Sequence, residues 1–584
     1  MLCYRCYVIG FTYQYYKIIP FLLLSNKCYD KYCEIKNNEG SGSVNILIIG
    51  GVAAGTKVAA KLKRENRNNE VTILTSSKDI SYAGCGLPYY VGNLISTEDQ
   101  LIVNTPKSFS DLTGVNVITE TKVVELNREE KTVNALHLDT GEKQQYHYDK
   151  LVIATGASPI KPPIDGVDLK GVYFLRTPDD AVVLREAVET GNMKRAVVVG
   201  GGYIGLEVAE NLSNQNVKVS VIDMAEHILP GFDPEMAEYV ENHLADHGIV
   251  TFTNTKLEAI LGEDKVEKIQ TEKRTMKTDA VILSVGIKPN TDFLINTGIQ
   301  LMPNRTVQVN EHLQTNDEDI YAIGDCACVT NRITNKPAWS PMGSSANIEG
   351  RMAAMNMNNK ELPYPGVLGT AVAKLPELNV DRTGLTSQDA EKNGFKPISV
   401  ITTVDDKAHY YPGASTFIVK MIADEDTKQF LGLQVLGKGN VDKMVDIAVT
   451  ALSMRASLYD LENMDLAYAP PFSTAIHPFT TTVNILLNKI HGVLESMTPL
   501  EYKNGMASDY KIIDTSKQPT IEGAYFLDLT KVNGEVEDLK KEDKILLVCT
   551  KGKRAYLLQN RLKYYGYTNT LVLEGGTTFN GADI

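Results

Sequence analysis

A cysteine with no second cysteine near it is the first residue of this sequence whose type and setting indicate chemistry. Cys85 lies in the segment Ile80-Ser-Tyr-Ala-Gly-Cys-Gly-Leu-Pro-Tyr-Tyr, which contains no second cysteine with which it could close an internal disulfide. A lone thiolate can hold a mixed disulfide with a small substrate, a persulfide or a sulfenic acid, and each can be reduced. Gly86 and Pro88 indicate a helix that begins close by, and its N-terminal dipole would lower the thiol pKa. We interpret Cys85 as redox-active, with a buried structural cysteine as the alternative.

A second cysteine, Cys549, ends an apolar run and is followed by a basic loop made of Lys551, Gly552, Lys553 and Arg554. Inward-pointing N–H groups, the dipole of a following helix and the nearby cations would stabilise a thiolate or a persulfide. This loop and the segment Leu573-Glu-Gly-Gly resemble the active-site region of the rhodanese family, which implies a sulfur-handling domain. Thr515 and Ser516 replace the Arg that commonly follows the Ile-Asp of that family. Because of this replacement, a domain with only weak activity stays an alternative.

A strand, a glycine turn and an alanine-rich helix follow one another from Asn45 onward. This order predicts a dinucleotide-binding unit, in which Gly50 makes the tight turn and Gly55 allows close helix packing. Val52 occupies the place of the usual second glycine, next to Gly51. Thr75 stands where an acid would bind a ribose. The motif is weak by itself, and a chance strand and turn is the alternative.

A second unit has all three glycines in register after a hydrophobic strand, namely Gly200, Gly202 and Gly205. Its next strand ends in Asp223, and no Arg follows directly. A carboxylate at this point accepts hydrogen bonds from the ribose 2′-hydroxyl and repels a 2′-phosphate, so the sequence favours NADH over NADPH.

Two further strands end in polar turns, at Thr155-Gly156 and at Gly324-Asp325. With the two glycine units in this order, the turns resemble the flavoprotein reductases that have two dinucleotide-binding domains. The resemblance covers nearly everything from Val44 to about residue 490. It implies that the first unit holds FAD, that the second holds the nicotinamide, and that Asp325 binds the ribityl chain. Cys326 and Cys328 are interpreted as small buried packing residues.

Within that superfamily, the segment around Cys85 resembles the single-cysteine branch, which contains coenzyme A disulfide reductases, NADH oxidases and peroxidases, and persulfide reductases. The implied fold class is α/β, with two Rossmann-like dinucleotide-binding domains, an α+β dimerisation domain and a C-terminal rhodanese-like α/β domain. The expected boundaries are residues 44–157 and 285–357 for FAD, 158–284 for NADH, 358–490 for dimerisation, and 497–584 for the rhodanese-like domain.

The segments around Tyr410-Tyr411 and around Tyr468 resemble parts of the dimerisation domain of coenzyme A disulfide reductases. There, tyrosines of one subunit approach the sulfur of the other. Tyr468 and either Tyr410 or Tyr411, of which we favour Tyr411, are therefore expected to donate protons or orient substrate, with interface aromatics as the alternative. His477-Pro478 resembles the histidine-proline segment of glutathione-reductase-like enzymes instead, so His477 is a candidate general acid–base.

Composition and charge exclude other classes of protein. The chain has 584 residues and a net charge of −13, which disfavours binding to nucleic acid or to anionic lipid. Its eight cysteines form no extracellular disulfide framework, so a cytoplasmic location is expected. The apolar run within residues 1–43, from Ile18 to Leu24, is too short to span a bilayer, and the segment is interpreted as a tail of doubtful status before the working chain. Cys3, Cys6, Cys28 and Cys33 lie there without metal-site spacing, and no metal is expected.

Together these residues predict an NADH- and FAD-dependent homodimeric reductase that acts through Cys85 on coenzyme A disulfide, coenzyme A persulfide, polysulfide or another small disulfide or persulfide. The appended cysteine loop favours persulfides, because Cys549 could accept sulfur and deliver it to Cys85. The first alternative is an NADH oxidase or peroxidase that cycles Cys85 through a sulfenic acid. The second is a non-catalytic redox sensor or sulfur carrier.

Overall fold

The computed structural model describes residues 43–582. The interpretation of residues 1–43 therefore lies outside the described residues, apart from Ser43. Among the described residues, no helix has both the length and the hydropathy needed to cross a membrane.

The first dinucleotide-binding unit is built on a five-stranded parallel sheet. Its strands, in spatial order, are Ile320–Ala322, Lys150–Ile153, Asn45–Ile49, Glu70–Leu74 and Asn116–Ile118. Helix Ala53–Glu65 packs on this sheet beside helix Gly343–Met357, and helix Pro106–Thr113 precedes the edge strand. Further antiparallel strands flank it: Thr121–Asn127, Thr132–His137 and Lys143–His147 form one small sheet, and Ala327–Thr330 pairs with Pro337–Ala338. After their first residues, Lys150 and Asn45, the adjacent strands Lys150–Ile153 and Asn45–Ile49 are apolar and buried, because helices or strands cover both faces.

The second unit repeats this plan with another parallel sheet. Its strands, in spatial order, are Val250–Phe252, Lys218–Ile222, Arg195–Val199, Ala280–Leu283 and Val172–Tyr173. Its helices are Pro178–Glu189, Tyr203–Asn214 and Pro234–Asp246, and an antiparallel sheet of Leu257–Leu261, Lys268–Thr271 and Thr275–Lys277 is attached. Strands Ala157–Pro159 and Ile287–Pro289 pair with each other and form the two connections between the units.

The third domain is an antiparallel sheet with helices. Its strands, in spatial order, are Ala371–Leu375, Leu378–Gly384, Phe430–Gly437, Thr416–Asp424 and Pro397–Asp405. Helices Ser387–Lys392, Val441–Ser453, Leu458–Leu461 and Pro478–Ile490 accompany it. Every residue of Phe430–Gly437 is buried, so this strand forms the centre of the domain.

The C-terminal domain has a third parallel sheet. Its strands, in spatial order, are Ser496–Met497, Thr570–Leu573, Ile545–Val548, Lys511–Asp514 and Tyr525–Phe526, and its helices are Pro499–Lys503, Lys553–Tyr564 and Gly576–Asn580. The predicted fold class, α/β with two dinucleotide-binding folds, an α+β domain and a further α/β domain, is confirmed.

Candidate functional site

Cys85 lies in a short turn between the two dinucleotide-binding units. The turn is a single 3₁₀ turn, Gly84–Gly86, and the helix Leu87–Val91 follows it at once with Pro88 in its first turn. That helix packs against helix Tyr203–Asn214 of the second unit so closely that a Cβ on Gly92 would lie 2.1 Å from Asn211 Oδ1. The cysteine therefore belongs to the first unit in sequence and is held by the second in space.

The thiol of Cys85 is exposed and also lies at the start of a second helix. A Cβ on Gly343, the first residue of helix Gly343–Met357, would lie 3.9 Å from Cys85 Sγ. This glycine leaves room for the sulfur at the N-terminus of a helix that packs on the first unit. The thiol is thus open to a small reactant and close to the predicted flavin-binding residues.

The direction of the Cys85 pKa corrects one prediction from the sequence. The predicted helix begins at Leu87, yet the pKa of Cys85 is raised rather than lowered. Desolvation by the surrounding protein is the main cause, and the carboxylates of Glu207 and Asp325 act in the same direction, while Arg176 opposes them. The surrounding protein and these charged groups come from parts of the chain far from Cys85 in sequence, so the local motif did not reveal their effect.

Tyr89 and Glu207 form a pair beside the thiol that the sequence analysis did not single out. The Tyr89 hydroxyl donates to Glu207 Oε1 at 2.8 Å. Burial raises the pKa of Glu207, and the bond from Tyr89 opposes this. Burial and the nearby Glu207 carboxylate raise the pKa of Tyr89 strongly. Glu207 stands two residues after Gly205, in the first turns of the predicted nucleotide-binding helix, and that spacing was the only available signal.

The glycine turn of the first unit forms a narrow cradle. Gly50 has a φ of +116°, and a Cβ on it would lie 2.1 Å from the carbonyl oxygen of Ala154. A Cβ on Gly55 would lie 1.8 Å from the oxygen of Gly50, and one on Gly51 would lie 3.3 Å from the Cβ of Thr75. The four predicted residues, Gly50, Gly51, Gly55 and Thr75, therefore meet at one edge of the sheet, where helix Ala53–Glu65 begins. A pyrophosphate fits such a turn.

The Gly324-Asp325 turn completes the same edge. The Gly324 N–H donates to Glu349 Oε2 at 2.6 Å, and Asp325 pairs with Arg176 at 2.8 Å. Glu349 is only 2% exposed, and burial raises its pKa to about 8. Glu349 is therefore largely protonated at neutral pH. The sequence analysis did not predict this acid, because Glu349 lies in the middle of a helix and belongs to no local motif.

The Thr155-Gly156 turn lies against the same arginine. Gly156 has a φ of +65°, and a Cβ on it would lie 3.7 Å from an Arg176 guanidinium nitrogen. Asn290 holds the turn by donating from its backbone N–H to the Gly156 oxygen and from its side chain to the Thr155 oxygen, at 2.9 and 3.0 Å. The predicted Cys326 is fully buried and Cys328 nearly so, as packing residues would be. The residues predicted for FAD thus form one continuous surface, and they fit that group.

The second glycine turn, which is predicted to bind the nicotinamide dinucleotide, has the same construction. Gly200 has a φ of +109°, and a Cβ there would lie 2.3 Å from the oxygen of Ser284, while one on Gly205 would lie 2.0 Å from the oxygen of Gly200. Gly202 has open space around its Cα. The carboxylate of Asp223 accepts the N–H groups of Gly201 and Ala225 at 2.6 and 2.8 Å, which fixes it beside the turn.

An apolar cleft joins the two dinucleotide surfaces. Eight residues line it: Pro159, Leu175, Arg176, Ile204, Leu283, Ser284, Gly286 and Ile287. Arg176 belongs both to this cleft and to the pair with Asp325, so the cleft opens next to the flavin surface. A nicotinamide ring has the size and the apolar faces for such a cleft.

The predicted tyrosines lie on the surface of the third domain, more than 300 positions after Cys85 in the sequence. Tyr410, Tyr411 and Tyr468 are 66%, 39% and 48% exposed. The neighbouring Tyr410 side chain raises the pKa of Tyr468. Tyr468 and Tyr410 therefore lie close together, and the catalytic roles of Tyr468 and of Tyr410 or Tyr411 stay predictions.

His477 is buried at the start of helix Pro478–Ile490. Its Nδ1 accepts the N–H of Phe479 at 3.2 Å and so caps the helix. Burial, aided by the charge of Lys443, lowers the His477 pKa to about 4. The imidazole is therefore neutral at physiological pH and caps the helix, while the acid–base role of His477 stays a prediction.

The C-terminal cysteine is enclosed by its loop. Cys549 is 2% exposed, and its Sγ accepts the N–H of Ala555 at 3.4 Å, in the first turn of helix Lys553–Tyr564. Gly552 has a φ of +80°, which lets the loop turn into that helix. Of the three loop cations, Lys553 is exposed, and Arg554 donates to the Thr515 oxygen at 2.6 Å. Arg554 thus lies near the place where the family's usual Arg is missing.

Comparison with known proteins agrees with this arrangement. The model of the pyridine nucleotide-disulphide oxidoreductase family matches residues 44–347, that of its dimerisation domain matches 371–479, and that of the rhodanese-like domain matches 489–578. The NADH oxidase of Methanocaldococcus jannaschii is 34% identical over 445 residues, which are 76% of this chain and 99% of that protein. The NAD(P)H coenzyme A polysulfide/persulfide reductase of Pyrococcus horikoshii is 35% identical over 446 residues, 76% of this chain and 98% of that protein.

One solved structure spans nearly the whole described chain. The NAD-dependent persulfide reductase from A. fulgidus is 34% identical, has a TM-score of 0.87, and is matched over 92% of this chain and 99% of that chain. The predicted family, enzyme class and cofactor classes are confirmed. The chain belongs to the pyridine nucleotide-disulphide oxidoreductase family, whose members are oxidoreductases that use FAD and NAD(P)H, and it carries a rhodanese-like domain at its C-terminus.

Proposed function

We propose that the protein is an NADH- and FAD-dependent reductase of coenzyme A disulfide, coenzyme A persulfide or polysulfide that works through Cys85. The main supporting observation is the position of the exposed Cys85 thiol, which lies next to Gly343 on the flavin side and just before a helix that packs against the nicotinamide side. No described cysteine forms a disulfide, and Tyr90 fills the position of a second thiol. Cys85 therefore acts alone.

The reaction begins when the Cys85 thiolate attacks a sulfur of the substrate. The substrate S–S bond breaks, one half leaves as a thiolate or as hydrosulfide, and a mixed disulfide remains on Cys85. Two electrons that originate from NADH then cleave the mixed disulfide, which releases the other half and restores the thiolate. When bound, FAD supplies the two-electron path from nicotinamide to sulfur. Overall, one disulfide, one NADH and one proton give two thiols and NAD⁺.

The residues around Cys85 control its proton. Because the pKa of Cys85 is raised, much of the resting thiol is protonated at neutral pH. The hydrogen-bonded pair Tyr89–Glu207 lies on the nicotinamide side of Cys85 and is proposed to relay its proton. The positive charge of Arg176 favours the thiolate. Tyr468, with Tyr410 or Tyr411, is proposed to reach the thiol of a partner subunit and protonate the leaving sulfur.

A homodimer is part of the proposal. Support comes from the dimerisation-domain match and from exposed aromatic side chains on the third domain, Tyr410, Tyr411, Tyr468 and Phe472. Two observations favour persulfides among the substrates: the relatives named above as persulfide reductases, and the appended cysteine loop. The proposed domain roles follow the sequence boundaries, with 44–157 and 285–357 for FAD and 158–284 for NADH.

The decisive test measures anaerobic NADH consumption by the FAD-loaded protein. Coenzyme A persulfide, coenzyme A disulfide and no acceptor are compared, for the parent and for Cys85→Ser. We expect acceptor-dependent turnover that Cys85→Ser abolishes. Turnover with oxygen or peroxide alone would support the oxidase or peroxidase reading, to which the M. jannaschii relative lends its name. Slow turnover with every acceptor would support a sensor or carrier.

A further inference from the structure

Thr515, in the C-terminal domain, has a buried hydroxyl group without a partner. The residue is fully buried, and its Oγ1 makes no hydrogen bond with any of the described residues. A buried hydroxyl that lacks a hydrogen bond lowers the stability of the folded state. Thr515 also stands, with Ser516, where the sequence departs from the rhodanese pattern. A bound group that accepts a hydrogen bond would remove the cost of burying this hydroxyl.

The backbone places Thr515 beside Cys549. The strands that precede these two residues are parallel neighbours, and the last residues of the strands, Asp514 and Val548, are paired. The Thr515 N–H donates to the Val548 oxygen at 2.9 Å, so the pairing continues into Thr515. Neighbouring strands lie roughly 4.8 Å apart. Thr515 and Cys549, the next residue of each strand, are therefore adjacent.

The side chains of Thr515 and Cys549 lie on the same face of the sheet. Side chains alternate between the two faces along a strand, so Thr515 shares a face with Ile513. Ile513 and Cys549 belong to one apolar cluster, which also contains Ala555 of helix Lys553–Tyr564. From that helix the Ala555 N–H donates to the Cys549 sulfur at 3.4 Å. The unpartnered hydroxyl and the sulfur are thus neighbours under the start of one helix.

Other polar side chains of this region are engaged in bonds of their own. Three pairs are formed: Ser516 with Thr520, Arg554 with Asp528, and Lys551 with Asp405 of the third domain. Arg554 also donates from Nε to the backbone oxygen of Thr515 at 2.6 Å. This bond holds the Thr515 backbone and leaves its hydroxyl free for a group that arrives at the sulfur.

We propose that the Thr515 hydroxyl binds the outer sulfur of a persulfide carried by Cys549. In the loading step the Cys549 sulfur attacks the outer sulfur of a small persulfide, and the S–S bond of that donor breaks. The donor leaves as a thiol with the proton of the Cys549 thiol, so one sulfur atom moves and no oxidant or reductant is needed. The added sulfur lies one S–S bond, roughly 2 Å, from Cys549 Sγ and accepts a hydrogen bond from the neighbouring hydroxyl.

The experiment measures how much sulfur Cys549 holds at equilibrium. The FAD-loaded full-length protein is mixed anaerobically, without NADH, with glutathione persulfide and glutathione in known ratios. After alkylation, trypsin cleavage after Lys544 and Lys551 isolates the peptide with Cys549, and mass spectrometry gives the fraction with an extra sulfur. Thr515→Val replaces the hydroxyl by a methyl group. The equilibrium constant for loading should fall on the order of tenfold in this variant, because one hydrogen bond is lost.

Two further variants are compared with Thr515→Val. Thr570→Val changes another buried threonine whose hydroxyl has no partner among the described residues. Thr570 pairs with Ile545, at the opposite end of the strand that leads to Cys549, so this variant should load like the parent. Thr515→Ser keeps the hydroxyl and should recover most of the loading.

The melting temperature of the sulfur-free protein separates binding from folding. Because the Thr515 hydroxyl has no bond to lose in that state, Thr515→Val should melt no lower than the parent. A melting temperature clearly below that of the parent would overturn the proposal, since the hydroxyl would then support the fold itself.

Three results of the loading assay would also overturn the proposal: Thr515→Val loads like the parent, Thr570→Val loses as much sulfur, or Cys549 of the parent takes up no sulfur. The inference rests on the proposed transfer of sulfur through Cys549. The assay contains no NADH, however, so its outcome does not depend on whether Cys85 reduces a disulfide.

Discussion

The hydroxyl of Tyr89 donates a hydrogen bond to the carboxylate of Glu207, 2.8 Å away, and so joins the helix that follows Cys85 to the helix of the second glycine turn. The negative charge of Glu207 is one of the causes that raise the pKa of Cys85. In Glu207→Gln we therefore expect the pKa of Cys85 to fall, by about half a unit. The pH dependence of Cys85 alkylation measures it.

A suitable control is Glu189→Gln, which removes an exposed carboxylate at the end of helix Pro178–Glu189. The alkylation profile should not move in this control. An unchanged or raised Cys85 midpoint in Glu207→Gln would show that the carboxylate does not act on the thiol.

Asp325 is expected to decide whether the protein retains FAD. Its carboxylate is fixed by Arg176 at the edge where the strands of the first sheet end. In Asp325→Ala, the loss of a polyol acceptor should lower the flavin content of the purified protein to less than about half that of the parent, because unpaired polar groups of a ligand are costly to bury. The ratio of flavin absorbance to protein absorbance measures this. Asp319→Asn, which breaks the exposed pair with Lys131, should keep its flavin; equal content in both variants would contradict the assignment.

Asp223 is expected to set the preference for NADH. Its carboxylate is held beside the second glycine turn by two backbone N–H groups. Asp223→Ser removes the ribose acceptor and the repulsion of a 2′-phosphate, so the ratio of kcat/KM for NADH to that for NADPH should fall about tenfold. Steady-state kinetics with both nucleotides give this ratio. Glu226→Gln, an exposed change three residues on, serves as control, and a constant ratio in Asp223→Ser would rule out the carboxylate as the selector.

Glu349 should make stability depend on pH. Its pKa is raised from 4.5 to about 8 by burial, so the folded state favours the neutral acid. The favourable contribution is complete below about pH 4.5 and is lost as the pH rises through 8. This loss should disappear in Glu349→Gln. Relative to the variant, the parent should therefore lose on the order of 4 kcal/mol of stability between pH 5 and pH 9. Melting temperatures across pH test this, with Glu311→Gln on the surface as control; parallel curves for parent and Glu349→Gln would contradict it.

The sequence predicted those features that depend on neighbours along the chain. The glycine turns at Gly50 and Gly200 and the helix after Cys85 follow from short local patterns of strand, glycine and proline. The Tyr89–Glu207 bond, the acid beneath Gly324 and the Lys551–Asp405 pair join residues 118, 25 and 146 positions apart. No local spacing encodes such contacts. For the same reason the direction of the Cys85 pKa was predicted wrongly, because the helix dipole is local, whereas the burial that mainly raises this pKa and the carboxylates that add to it come from distant parts of the chain.

His477 is expected to have a structural role rather than a catalytic one. Its Nδ1 caps helix Pro478–Ile490, and its pKa of about 4 means that it is protonated only in acid far below the working range. Asn is also a good helix cap, so His477→Asn should cost at most about 1 kcal/mol of stability. NADH turnover between pH 6 and 8 should change less than about twofold, since no proton is lost from His477 there.

The opposing outcome is equally clear. A general acid–base raises the reaction rate at least about a hundredfold. A catalytic role for His477 would therefore be supported if His477→Asn lowered kcat by that factor and left the melting temperature unchanged. The pH profile of the variant would then also lack one of its limbs. His477→Ala distinguishes the two further, because it removes the cap as well. It should lower the melting temperature below that of His477→Asn while leaving kcat alike in the two variants, since only the helix start, and not the chemistry, depends on this side chain.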